Sequence, residues 1–154
     1  MREEILLIGE VKIFDKPVVM KCHGLSSCVG LFVKDRMTGI TGGAHIFLPG
    51  NRNNTMGEGI PANACVEYML EAMKKKGASL ETLRAKIAGG SNTLLHYFNV
   101  GNQNTNEVIA ALIRNKVYIA AMDVGGTVSR SVEFNTNSGQ LTVRQLEWNR
   151  TKVF

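Results

Sequence analysis

The sequence predicts an α+β fold: one domain, residues 1–154, of mixed, largely antiparallel β-sheets packed with two or three helices. Three observations predict it. The chain has 154 residues, enough for one real core. Short β-rich segments separated by turn residues fill both ends, and strands adjacent in sequence imply antiparallel pairing. Helical periodicity is confined to the middle, at 61–76 and 102–115.

Residues 4–14 are expected to form one strand, its apolar run interrupted by Gly9. Asp15-Lys16-Pro17 is a turn, because proline fixes φ and aspartate favours turn entry. Val18-Val19-Met20 opens a second strand leading to Cys22, and 28–34 is a third, closed by the polar turn 35–39. Residues 43–48 are a fourth, ended by Pro49-Gly50. The polar, aperiodic stretch 51–59 is a surface loop, or a rim or lid over whatever lies beside it.

Residues 61–76 are the clearest helix. Proline suits its first turn, where a missing N–H costs nothing. Ala62, Cys65, Val66, Met69, Leu70 and Met73 form an apolar stripe, and Cys65 on it is a small buried hydrophobe. Lys74-Lys75-Lys76 meet the negative end of the helix dipole, and Gly77 stops the helix. A short strand, 83–88, runs into Gly89-Gly90-Ser91-Asn92, which lacks the Lys-Ser/Thr ending of a phosphate loop. Residues 93–98 form a helical turn in which His96 is structural. The second helix, 102–115, turns Val108, Ile109, Leu112 and Ile113 to the core. Strands at 116–124, 129–134 and 140–148 bring the total to about eight, with a hairpin turn at Asn137-Ser138-Gly139.

Composition narrows the function classes. Hydrophobic residues are 44% and charged residues 20%, as in ordinary globular domains. No apolar run approaches the roughly 20 residues that span a bilayer, and the N-terminus lacks a secretory core, so a cytoplasmic protein without membrane insertion is expected. Three irregularly spaced cysteines argue against a disulfide framework. The net charge of +5 is scattered and aromatics are only 6%, which gives a nucleic-acid surface little support and leaves a mild preference for an acidic partner.

The chemistry gathers in 19–49, which holds two of the three cysteines and two of the three histidines. Cys28 stands between the turn Gly24-Leu25-Ser26-Ser27 and an apolar run; His45 follows Gly42-Gly43 and opens another. A thiol and an imidazole, each at the junction of a turn and a strand, suit a Cys–His hydrolase. Other readings of the same residues are a buried Cys and a buried His, a zinc set of Cys22, His23, Cys28 and His45 without the usual ligand spacing, and a redox-active Cys22–Cys28 pair. The reading taken forward has no metal and no cofactor.

Six segments then carry a resemblance: Leu25-Ser26-Ser27-Cys28-Val29, Gly43-Ala44-His45-Ile46-Phe47-Leu48-Pro49, 85–91, 100–104, Asp123-Val124-Gly125-Gly126 and 130–134. In this order, with seventeen residues from Cys28 to His45, the chain resembles the chemoreceptor glutamine deamidases of bacterial chemotaxis, the CheD family. The resemblance implies a cysteine hydrolase of the fold type shared with deamidating toxins. Its substrate would be glutamine on chemoreceptor helices, in some members also glutamyl methyl esters, and its partner a CheC-type phosphatase.

It also implies roles. Cys28 is the nucleophile, and His45 lowers the thiol pKa by ion pairing and then protonates the departing ammonia. Backbone N–H groups around Ser27 and Cys28 are the natural donors to the oxyanion, with Ser26 in the same turn. The family's third catalytic position, a threonine six residues before the nucleophile, is Cys22 here, and its usual glycine two residues before the nucleophile is Ser26. A serine forced to positive φ would strain that turn. Gly43, Gly125, Gly126 and Arg130 are candidates to border a substrate groove, with a tight turn and a surface charge as the plainer reading of the last three. A non-catalytic adaptor that binds the receptor or the phosphatase is the alternative function.

Overall fold

The computed structural model describes residues 1–47, 61–92 and 99–154. Two five-stranded sheets and a helical layer stack face to face. The strands are β1 (Arg2–Ile5), β2 (Val11–Phe14), β3 (Val18–Leu25), β4 (Val29–Asp35), β5 (Thr41–Ile46), β6 (Leu83–Gly89), β7 (Tyr118–Val124), β8 (Arg130–Asn135), β9 (Leu141–Gln145) and β10 (Arg150–Val153). The first sheet has the order β1-β3-β8-β9-β10 and the second β2-β5-β4-β6-β7. Only β1/β3 and β6/β7 pair in parallel among the described strands. This is the expected α+β class with largely antiparallel sheets.

The second sheet is covered on both faces, so its central strands are apolar throughout rather than alternating. On β4, Val29, Leu31 and Val33 join the core under the helices, while Phe32 joins the core between the sheets. There the Phe32 ring stacks on Phe134 at 5.1 Å between centroids. The first sheet alternates. Met20 and Cys22 of β3 point inward, and Lys21 between them meets Glu3 and Glu133 on the outer face at 3.0 and 3.2 Å.

Helix α1 (Ala62–Lys75) buries Ala62, Cys65, Val66, Met69, Leu70 and Met73, the stripe expected from spacing. Burying each larger member contributes roughly 1.5–3 kcal/mol. An exposed helical pair such as Lys74–Glu71 contributes only about 0.3–0.5 kcal/mol. Packing therefore holds α1 in place. Helix α2 (Val100–Arg114) starts two residues earlier than expected, and its buried stripe includes Asn104, Thr105 and Ala111. Ile113 is 64% exposed, not core-facing.

Two expected strands are also corrected. The span 4–14 is two strands in different sheets, because Gly9 at φ +85° turns the chain out of one and into the other. The span 140–148 ends as a strand at Gln145; a turn follows, and the chain returns as β10 against β9. The described strands therefore number ten rather than eight. The loop expected at 51–59 and the helical turn at 93–98 lie outside the described residues.

Candidate active site

Cys28 occupies the turn that carries the chain from β3 in one sheet to β4 in the other. Three consecutive carbonyls of that turn are anchored from one side. The Ser26 oxygen accepts from Ser91 N at 2.7 Å and Ser91 Oγ at 2.8 Å. The Ser27 oxygen accepts from Asn104 Nδ2 at 2.9 Å, and the Cys28 oxygen from Gly90 N at 2.8 Å. This close approach requires Gly89, whose φ is +106° and whose β-carbon, if present, would collide with the Cys28 carbonyl. Ser26 is not strained: the non-glycine residues with positive φ among those described are Asn99, Lys116 and Asn149.

His45 lies on β5 directly across the ladder from Gly30 of β4. Residues opposite one another share a face, and Cys28 lies two residues from Gly30, on the diagonal that brings Cβ atoms within roughly 7–8 Å. That face points between the sheets: a β-carbon on Gly30 would lie 3.6 Å from Cys22 Sγ. Cys22, Cys28 and His45 therefore converge at one end of the intersheet core. Cys28 is 7% exposed, His45 4% and Cys22 fully buried.

The imidazole is oriented by the backbone. His45 Nδ1 lies 2.9 Å from the Leu6 carbonyl oxygen. A carbonyl only accepts, so Nδ1 carries the hydrogen and Nε2 of the neutral ring presents its lone pair. Nε2 is buried and has no hydrogen-bond partner among the described residues. The Leu6 carbonyl is held in turn: Leu6 N donates to Lys21 O at 2.8 Å, and Gly9 N donates to His45 O at 2.8 Å. The hydrogen bond that orients His45 is thus made to a main-chain oxygen rather than to Cys22.

The thiol is protonated at rest. Burial pushes Cys28 up to about 11, only partly offset by its own backbone N–H. Burial, with Cys28 nearby, pushes Cys22 up to about 12. The expected ion pair with His45 would lower the Cys28 value, and burial acts in the opposite direction. All three cysteines are free, and Cys65 is buried in α1 as expected. His23 is exposed while Cys22 is buried, so the four residues of the zinc reading do not converge, and no metal-binding cluster occurs among the described residues.

Asn104 is the residue that sequence reasoning missed. It is fully buried in α2, and its Nδ2 donates to Ser27 O at 2.9 Å and to Phe47 O at 2.8 Å. One amide thereby ties the cysteine turn to the chain leaving the histidine strand. Its signal was a polar residue on an apolar helical stripe, one turn before Val108.

Of the groove candidates, Gly43 and Arg130 are enclosed by the fold. Gly43 is buried between the sheets, where a β-carbon would meet Met20 Sδ at 2.5 Å. Gly125 and Gly126 form a turn backing the cysteine segment, with Gly125 N on Gly89 O at 3.0 Å and Asn92 N on Gly126 O at 2.9 Å. Arg130 is not a surface charge: it is 4% exposed and faces Asp123 at 3.5 Å.

A family model described as CheD chemotactic sensory transduction matches residues 47–145. The chain belongs to the CheD family. Its curated CheD relatives include the probable chemoreceptor glutamine deamidase CheD 2 of Methanosarcina acetivorans, 40% identical over 141 residues, covering 89% of this chain and 63% of the relative. The chemoreceptor glutamine deamidase CheD of Thermotoga maritima is 34% identical over 145 residues, covering 94% and 92%. The chain thus spans less than two thirds of the Methanosarcina CheD protein and nearly all of the Thermotoga one. A crystal structure of a DUF152-family protein from Neisseria meningitidis superposes with a TM-score of 0.53 at 11% identity, over 83% of this chain and 65% of that one, and shows a shared fold.

Proposed function

We propose that this CheD chain, acting as one domain, is a protein-glutamine deamidase of chemoreceptor cytoplasmic helices, with Cys28 as nucleophile and His45 as its base. The observation that carries the reading is the buried, unpartnered Nε2 of His45, fixed as an acceptor by the Leu6 carbonyl on the face it shares with Cys28. A buried polar atom without a partner is uncommon unless something else engages it. Family membership and the names of the relatives supply the substrate class.

Because the thiol rests protonated, His45 acts as a general base during attack rather than as the partner of a standing thiolate. The Cys28 proton passes to Nε2 as sulfur bonds to the amide carbon. Imidazolium returns that proton to the departing nitrogen, which leaves as ammonia. The resulting thioester is hydrolysed by water deprotonated at Nε2, giving glutamate and the free thiol. In both steps an oxyanion develops beside the turn. Its carbonyls are anchored on one side, which supports the turn's N–H groups as donors of stabilising hydrogen bonds. Glutamyl methyl esters fit the same chemistry, with methanol as the leaving group. Cys22 is then packing beside the site rather than a third catalytic group.

Among the described residues no helix is long and apolar enough to cross a membrane. A cytoplasmic protein working on receptor helices, with a CheC-type phosphatase as partner, completes the proposal. The test is ammonia release from a purified receptor cytoplasmic fragment, wild type against Cys28→Ala, with mass spectrometry locating the converted glutamines. Release abolished in the variant supports the deamidase. Receptor or phosphatase binding without release by the wild type supports the adaptor.

A further inference from the structure

At the opposite end of the intersheet space from Cys28, the two sheets part into a cleft of about 540 Å3. Lys34, Arg36, Arg84 and Lys86 line it, over a floor that includes Ala120, Ala121 and Phe134. The strand register concentrates the charge: Lys34 of β4 stands directly opposite Arg84 of β6, and Lys86 lies on the diagonal, opposite Phe32. Like charges placed directly across a ladder destabilise it.

No Asp or Glu side chain among the described residues pairs with any of the four, although the Arg84 guanidinium lies over the Tyr118 ring, 5.2 Å from its centroid. Elsewhere, the half-buried Lys12 meets Glu4, Lys21 meets Glu3 and Glu133, and Arg130 meets Asp123. Among the described lysines and arginines that are not exposed, Lys34 and Lys86 are the two without an Asp or Glu partner. Burial, then Arg84 and Lys34, lowers the Lys86 pKa, as uncompensated positive charge does.

The ammonium groups are also held in place. Lys34 Nζ donates to Asn137 O at 3.0 Å, and Lys86 Nζ donates to Gly139 O and Phe154 O, each at 2.8 Å. An ammonium has three donors, so Lys34 keeps two and Lys86 one for a ligand. Two guanidinium groups add the planar fork that matches phosphate oxygens.

We propose that this cleft binds a small organic phosphate: a polyanionic phosphoryl group on the four cations, with an apolar or planar body against the Ala120–Ala121 and Phe134 floor. The volume exceeds what phosphate alone needs and lies in the range of small-molecule sites, roughly 300–1,000 Å3. The assignment does not depend on the chemistry at Cys28.

The experiment is calorimetric titration of the whole chain with ATP and with pyrophosphate at low ionic strength, repeated on Arg84→Gln, Arg36→Gln and the Lys34→Gln/Arg84→Gln pair, with Lys75→Gln on α1 as control. Arg36 and Arg84 are exposed, so their variants should fold, and circular dichroism checks this. The expected result is saturable ATP binding, tighter than pyrophosphate, weakened at least about tenfold in the pair and unchanged in the control. No saturable binding, equal loss in the control, affinity indifferent to the cleft variants, or binding of an acidic peptide but of neither phosphate overturns the proposal. Pyrophosphate binding as tightly as ATP overturns the organic body.

Discussion

Gly30 stands directly across the β4–β5 ladder from His45, with Cys28 two residues before it on the diagonal of the same face. A β-carbon there would sit 3.2 Å from Leu25 Cδ1 and 3.6 Å from Cys22 Sγ. Gly30→Val should therefore overpack the end of the intersheet core, costing about 1–3 kcal/mol, and shift the face that His45 shares with Cys28. Thermal unfolding and deamidation measured side by side should show a lowered midpoint, with activity reduced more than about tenfold in protein that is still folded.

Reactivity of Cys28 should track a high pKa. With the thiol pushed up to about 11, the alkylation rate by iodoacetamide should rise about tenfold per pH unit between about pH 7 and 9 without levelling. His45→Gln should leave that slope unchanged, because no standing ion pair is lost. A plateau near neutrality in the wild type, abolished by His45→Gln, would show a thiolate–imidazolium pair instead.

Asn104 should be sensitive to chemistry more than to size. Asn104→Ala orphans two carbonyls in a buried site, at roughly 1–3 kcal/mol. Asn104→Asp sets a carboxyl group against the Ser27 and Phe47 oxygens with at most one hydrogen to offer, so it should be worse than alanine. Stability and the Cys28 alkylation rate should both fall in the order Asn, Ala, Asp, as denaturant unfolding and thiol labelling would show.

Asp35 should set acid sensitivity. Burial alone would raise its pKa, but hydrogen bonds from Thr82, Met37 N, Thr38 and Ser79 N hold it down to about 2, against an ordinary value of 3.8. A depressed carboxylate stabilises above its unfolded value and loses that contribution as pH falls through its folded one. Asp35→Ala should cost roughly 2–3 kcal/mol at pH 7, and the gap to wild type should narrow between about pH 4 and pH 2 in urea unfolding.

Side-chain pattern was the legible part of this molecule. The buried stripe of α1 follows from spacing alone, and the Cys28–His45 pairing follows from two turn-to-strand junctions on a shared face. What orients His45 is a main-chain oxygen of Leu6, which no side-chain pattern displays. Gly9 was visible as an interruption, but a strand break and a change of sheet look alike in sequence. Arg130 was misjudged because its partner Asp123 comes from the neighbouring sheet. The cationic cleft was invisible for the same kind of reason. Lys34 and Arg84 are fifty residues apart, and only the register sets them opposite.

The connector from Leu6 to Glu10 leaves the first sheet at Lys21 and joins the second at His45, so one short stretch of backbone is bonded to both. Chemical competence should therefore require both sheets to be docked. Each sheet could assemble its own ladder with His45 free to adopt either tautomer. Only closure of the two halves on each other selects the form with its lone pair on Nε2. Recovery of Cys28 chemistry after dilution from denaturant should lag the return of the β-sheet signal, and the lag measures the docking step itself.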